Sequence, residues 1–122
     1  MTPTGRVENL SMETADGAHG SRILKLAGQL TLRTLFEFQS VTREDAGKAL
    51  IVDMSGLEYM DSAGLGSVIG AFTSCQCHNR GFAIVGVSGR IRVLFQVTHV
   101  DGLLPCFETI EAAETSVAPA SA

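Results

Sequence analysis

No stretch of the 122-residue chain approaches the ~18 consecutive apolar residues of a membrane-spanning helix, so insertion into a bilayer is not expected. The first residues, MTPTGRVEN, carry no apolar segment of the signal-peptide kind, which makes the cytoplasm the expected compartment. Positive charge is also scarce. Lys and Arg total 9 against 13 Asp and Glu, a net charge of −4, and nucleic acid as main partner would need a basic surface. Cysteine is sparse and odd in number: Cys75, Cys77 and Cys106 fit a reducing compartment. The Cys75-Gln76-Cys77-His78 cluster falls short of a zinc site, which takes three or four protein ligands, and residues two apart on a helix diverge. Neither metal nor cofactor is expected. At 45% apolar and 18% charged residues, the remainder describes a globular chain with one core.

The chain is organised around Leu50 to Thr73, LIVDMSGLEYMDSAGLGSVIGAFT. Leu50, Ile51, Val52 and Met54, interrupted only by Asp53, predict a strand buried on both faces. Ser55-Gly56 predicts its end. A helix is then expected after Asp61-Ser62, with Leu65, Val68, Ile69, Phe72 and Cys75 on one face. Asp61 and Ser62 are both good N-cap types, and an anion there would be favoured by the helix dipole. Gly64, Gly66 and Gly70 oppose helix formation, each by roughly 0.8–1.0 kcal/mol relative to alanine. Glycine in such places implies close approach, either by a neighbouring strand or by a partner at the helix mouth.

Taken in order, Met1 to Gly5 predicts a short polar lead and Arg6 to Glu13 an edge strand. Thr14 to Gly20 predicts a turn, and Ser21 to Ala27 a second, antiparallel strand. A helix is expected from about Thr31, as its N-cap, to Asp45, with Leu32, Leu35, Phe36 and Gln39 on its inner stripe. The central strand and helix follow, the latter closed by Gly81. Phe82 to Val87 predicts a strand parallel to the central one, since a helix joins the two. Ser88 is expected to cap a third helix bearing Ile91, Leu94, Phe95 and Thr98, broken at Thr98 to Leu104. A short strand near Phe107 to Ile110 and a last helix from Glu111 to Val117, packed through Ala112 and Ala113, complete a mixed-sheet α/β domain. Residues 118–122 are expected to form a flexible tail.

Two chemistries fail on spacing. Gly64-Leu65-Gly66 with Gly70 misses the dinucleotide fingerprint by one position and lacks the Gly-Lys-Ser/Thr of a P-loop. Ser62 lacks the Gly-x-Ser-x-Gly elbow of a hydrolase, and His19, His78 and His99 are not expected beside it. An enzyme is therefore not expected.

Met60-Asp61-Ser62-Ala63-Gly64-Leu65-Gly66 after LIVDMSGLEY closely resembles the phosphorylation motif of STAS-domain anti-sigma factor antagonists, and the resemblance extends over roughly Val7 to Val117. It implies a single STAS domain, residues 6–117, with a mixed four- to five-stranded sheet and helices mainly on one face. It further implies that Ser62 is the phosphoacceptor of a partner-switching regulator. Gly28, Thr31, Asp61, Ser62, Ala63, Gly64, Leu65 and Gly66 would form the partner-binding surface. The implied partners are an anti-sigma factor of the GHKL serine-kinase type and a resetting PP2C-type phosphatase, with a homodimer as a further possibility. Members of the family commonly read Gly-Glu-Leu-Asp where this chain reads Gly28-Gln29-Leu30-Thr31, so two acids are neutral here. The alternative function within the same fold is a STAS subunit of a lipid-trafficking ABC transporter, or another scaffold in which this serine is not modified.

Overall fold

The computed structural model describes residues 9–44, 48–87 and 89–117, together with the backbone of 2–7. Its six strands lie in the order β1 (Thr2–Val7), β2 (Leu10–Asp16), β3 (Arg22–Leu30), β4 (Leu50–Met60), β5 (Phe82–Val85) and β6 (Cys106–Phe107). The first three are antiparallel neighbours, and β3 through β6 run parallel. Helices α1 (Leu35–Arg43), α2 (Ser62–Cys77), α3 (Gly89–Val97) and α4 (Ile110–Val117) complete the chain. This is the mixed α/β sheet expected, with six strands rather than four or five. β1 occupies Thr2–Val7, where residues 1–5 were expected to be a polar lead, and the short strand expected near Phe107 to Ile110 lies at Cys106–Phe107, with Ile110 already in α4.

The larger core lies between the sheet and α1 to α3. There Leu24, Leu26, Leu30, Val52 and Ile84 meet Phe38, Val68 and Phe95, all nearly inaccessible to solvent. A smaller cluster on the opposite face packs Ile51, Ala83 and Val85 against Ala113 and Val117 of α4. Most described helices thus cover one face, and α4 covers the other, because the near-continuous apolar runs of β4 and β5 must be buried on both sides.

Several boundaries differ from expectation, each for a local reason. The strand anticipated over Arg6 to Glu13 is divided between β1 and β2 by Asn9, whose φ of 69° turns the chain. Ser55-Gly56 does not end β4. The register with β3 slips between Lys25 and Ala27 and again between Gly28 and Gln29, so β4 absorbs its extra residues as bulges and runs on to Met60. Asp53 accepts bonds from the Ser55 backbone N–H at 2.9 Å and its hydroxyl at 2.7 Å, giving the buried carboxylate and the bulged backbone a shared partner.

Thr31 is not the cap of α1; Thr34 is, and the turn from Thr31 to Thr34 precedes the helix. Leu32 therefore lies in the turn and not on the helix, and the inner stripe of α1 is Leu35, Phe38, Val41 and Thr42, leaving Leu32 and Phe36 63% and 70% exposed. Gly81 is not the cap of α2 either. His78 is, with Asn79 at a φ of 56°, and Gly81 instead lies against Val117. In α4 the packing residues are Ala113 and Val117, whereas Ala112 faces solvent. The helix expected to run to about Asp45 ends at Arg43, with Glu44 as its C-cap. The expected cap at Ser88 and the tail of residues 118–122 lie outside the described residues.

Candidate functional site

The parallel strands β3 and β4 end side by side at Leu30 and Met60, and each then enters a loop leading to a helix. The backbone N–H of Asp61 donates to the Leu30 carbonyl at 3.3 Å, tying the two exits together. The site is built on this tie.

Asp61 is the N-cap of α2. Its Oδ1 accepts from the Gly64 N–H at 2.7 Å, and its Oδ2 accepts from the Leu32 N–H at 3.1 Å. One carboxylate therefore satisfies an otherwise unpaired donor of the helix and anchors the loop between β3 and α1. That loop has its own internal brace. The buried Thr34 hydroxyl accepts from the Thr31 N–H at 2.9 Å and donates to the Gln29 carbonyl at 3.0 Å. Thr34 thus spends its side chain on the loop and makes no side-chain cap bond to α1.

With Asp61 as cap, Ser62 is the first helical residue, and it is exposed. Ala63 is half-buried, and Leu65 is buried in the core. The glycines separate into two kinds. A Cβ on Gly64 would run into the Leu30 carbonyl oxygen, with the Leu30 carbonyl carbon at 2.8 Å and Met60 Cγ at 3.1 Å. Gly66 and Gly70 have nothing within 4 Å of such a Cβ. Of the two origins expected for the glycines, the neighbouring strand accounts for Gly64 alone.

Gly28 lies back along β3, paired with Leu10 and Leu57. Its φ of +102° and the position of the Asn9 carbonyl leave no room for a side chain. That carbonyl accepts from the Gln29 N–H at 2.6 Å, which holds the turn after β1 against the start of the loop. Between these parts opens a cleft of about 450 Å³ lined by Asn9, Gln29, Thr31, Leu32, Arg33, Thr34 and Asp61. Among the described residues, Arg33 and Asp61 are the charged groups lining it.

The fold thus gathers Thr31, Asp61, Ser62, Ala63 and Gly66 at one mouth, supported from beneath by Gly64 and Leu65, with Gly28 set behind them. Leu32, Arg33 and Phe36 were missed as surface residues because helical spacing assigns Leu32 and Phe36 to the core.

Elsewhere, burial pushes the Cys75 thiol pKa up, opposed by Arg80, and burial likewise raises that of Cys106. Both therefore favour the protonated, unreactive form. Among the described residues no group of His, Cys, Asp and Glu is arranged to hold a metal ion. No described helix is long and apolar enough to cross a membrane.

The sequence model of the STAS domain family matches residues 9–113. An anti-sigma-B factor antagonist of Staphylococcus aureus is 31% identical over 106 residues, covering 84% of this chain and 97% of the relative. Among solved structures, an anti-sigma factor antagonist from Mycobacterium paratuberculosis superposes with a TM-score of 0.79 at 20% identity, covering 93% of this chain and 98% of that one. The Bacillus cell fate determinant SpoIIAA in its phosphorylated form gives a TM-score of 0.65 at 18% identity, covering 85% and 97% respectively.

Proposed function

The chain belongs to the STAS domain family, and from that premise we propose that it is an anti-sigma factor antagonist whose docking is switched by phosphorylation of Ser62. One observation carries the switch: Asp61 takes the helix cap, so the Ser62 hydroxyl at the mouth of α2 is exposed and spared a structural duty. The name of the Staphylococcus aureus relative supports the partner class. The protein acts by binding, not by catalysis.

In this reading the unmodified surface docks on an anti-sigma factor of the GHKL serine-kinase type and releases a sigma factor. Thr31, Asp61, Ser62, Ala63 and Gly66 form the contact rim, while Gly28, Gly64 and Leu65 shape it from behind. The kinase holds the ATP. The Ser62 Oγ forms a bond to the γ-phosphorus while the bond from that phosphorus to the bridging oxygen breaks. ADP leaves with the electron pair, and the hydroxyl proton passes to a base on the kinase. A PP2C-type phosphatase returns the serine by hydrolysis.

Phosphate adds about −1.5 to −2 charge. The N-terminus of α2 tolerates that charge, so the fold survives it. The docked interface does not, because a dianion beside Asp61 must be desolvated against a fitted surface. A hundredfold loss of affinity requires only about 2.7 kcal/mol.

The test is incubation with ATP and GHKL kinases encoded in the same genome, followed by intact mass and binding measurements, with Ser62→Ala as control. One added phosphate, absent in the variant and accompanied by at least a hundredfold weaker kinase binding, is expected. A chain that no such kinase binds or modifies, but that a transporter ATPase retains, would have the scaffold function instead.

A further inference from the structure

Ser62 and Arg33 sit on different connections, but Asp61 brings those connections together. The Leu32 N–H reaches the Asp61 carboxylate at 3.1 Å. Arg33 and Ser62 are each one Cα step, about 3.8 Å, from a residue of that contact. Arg33 is exposed, and its guanidinium makes no ion pair among the described residues. Asp61, the other charged group of the cleft, already has both carboxylate oxygens engaged by backbone N–H groups. The rest of the lining, among the described residues, is uncharged. An uncommitted cation therefore lies within side-chain reach of an exposed hydroxyl.

We propose that Arg33 is the intramolecular partner of the phosphate carried by Ser62. The proposal rests on Ser62 being the phosphoacceptor. In the unmodified chain Arg33 projects from the loop beside the exposed Leu32 and is available to a docking protein. In the phosphorylated chain its fork of N–H donors takes two phosphate oxygens. The pair offsets the repulsion between the phosphate and Asp61 and withdraws the guanidinium from the docking surface. Phosphorylation then acts twice, by adding negative charge at α2 and by removing a positive contact from the loop. Because Asp61 latches the loop backbone, only the Arg33 side chain has to move.

The test uses the full chain with phosphoserine installed at position 62 during translation, so that no kinase is needed. The phosphate is titrated by ³¹P NMR in the otherwise native chain, in Arg33→Gln and in Arg33→Lys. A nearby cation favours the dianion, so the native midpoint should lie about half a unit or more below that of Arg33→Gln, roughly threefold in proton affinity. Arg33→Lys, which keeps the charge without the fork, should fall between them. The Arg33 side-chain Nε–H resonance should shift on phosphorylation of the native loop. Coincident midpoints in all three proteins, with an unmoved Nε–H signal, would overturn the pairing. That result would leave the kinase reaction at Ser62 standing, whereas failure of the kinase assay would leave the measured pairing intact.

Discussion

The first turn of α2 has two sides that obey different rules. On the inner side Asp61, Gly64 and Leu65 are committed: a cap, a close backbone approach to Leu30 and a core contact. On the outer side Ser62 and Gly66 are exposed and make no comparable packing contact, with nothing within 4 Å of a Cβ on Gly66. Residues two positions apart in one motif thus serve the fold in one case and remain free for a partner in the other. Substitution on the inner side should act on stability first and on binding only as a consequence. On the outer side the order should reverse.

The largest effect is expected from Gly64→Ala. The added methyl meets the Leu30 carbonyl, a strand-end group that cannot yield without separating α2 from β3. Overpacking of this kind costs about 2–3 kcal/mol, which urea denaturation would register as a lower midpoint at unchanged slope. A loss under about 0.5 kcal/mol would mean that the strand end relaxes freely.

Asp61→Ala should come next. Loss of the cap costs about 1 kcal/mol, and release of the Leu32 N–H, an exposed contact, adds less. Asp61→Asn keeps a good capping side chain and should recover most of the stability. Amide exchange at Leu32 and Gly64 separates the two roles. Both should accelerate in the alanine variant, and an unchanged Leu32 rate would show that the loop is held by the Thr34 brace alone.

The architecture was largely legible from residue patterns. The β4–α2–β5 unit follows from two nearly unbroken apolar runs flanking a helix-period segment, and α3 follows from Ile91 and Phe95. What remained hidden depends on contacts between distant segments. A Ser-Gly pair signals a chain break locally, but β3 pairs across it and turns it into a bulge. The start of α1 was misplaced by three residues because Thr31 and Thr34 are equally good caps in isolation. The two bonds of the Thr34 hydroxyl, from the Thr31 N–H and to the Gln29 carbonyl, distinguish them. That displacement leaves Leu32 in the turn before the helix, while Phe36 falls outside the stripe of Leu35, Phe38, Val41 and Thr42 that meets the core. The motif residues themselves were legible because they are contiguous, whereas Arg33 enters the site only through a bond between residues 29 positions apart.

The smallest change tests the outer side alone. Gly66→Ala adds a methyl group to an exposed helical position with open space around it. By helix propensity it should stabilise the chain by roughly 0.8–1.0 kcal/mol, the opposite sign to Gly64→Ala two residues earlier. The same methyl would stand on the surface proposed to dock an anti-sigma factor. Loss of close approach worth about 1.4 kcal/mol would weaken binding tenfold. A chain that is more stable yet binds less tightly would show that the glycine is kept for the partner at the expense of the helix. A chain that is more stable and binds equally well would move the footprint away from Gly66, toward Ser62 and the loop bearing Leu32. Parallel measurement of Gly70→Ala, one turn further along the same exposed face, would then fix how far along α2 the partner reaches.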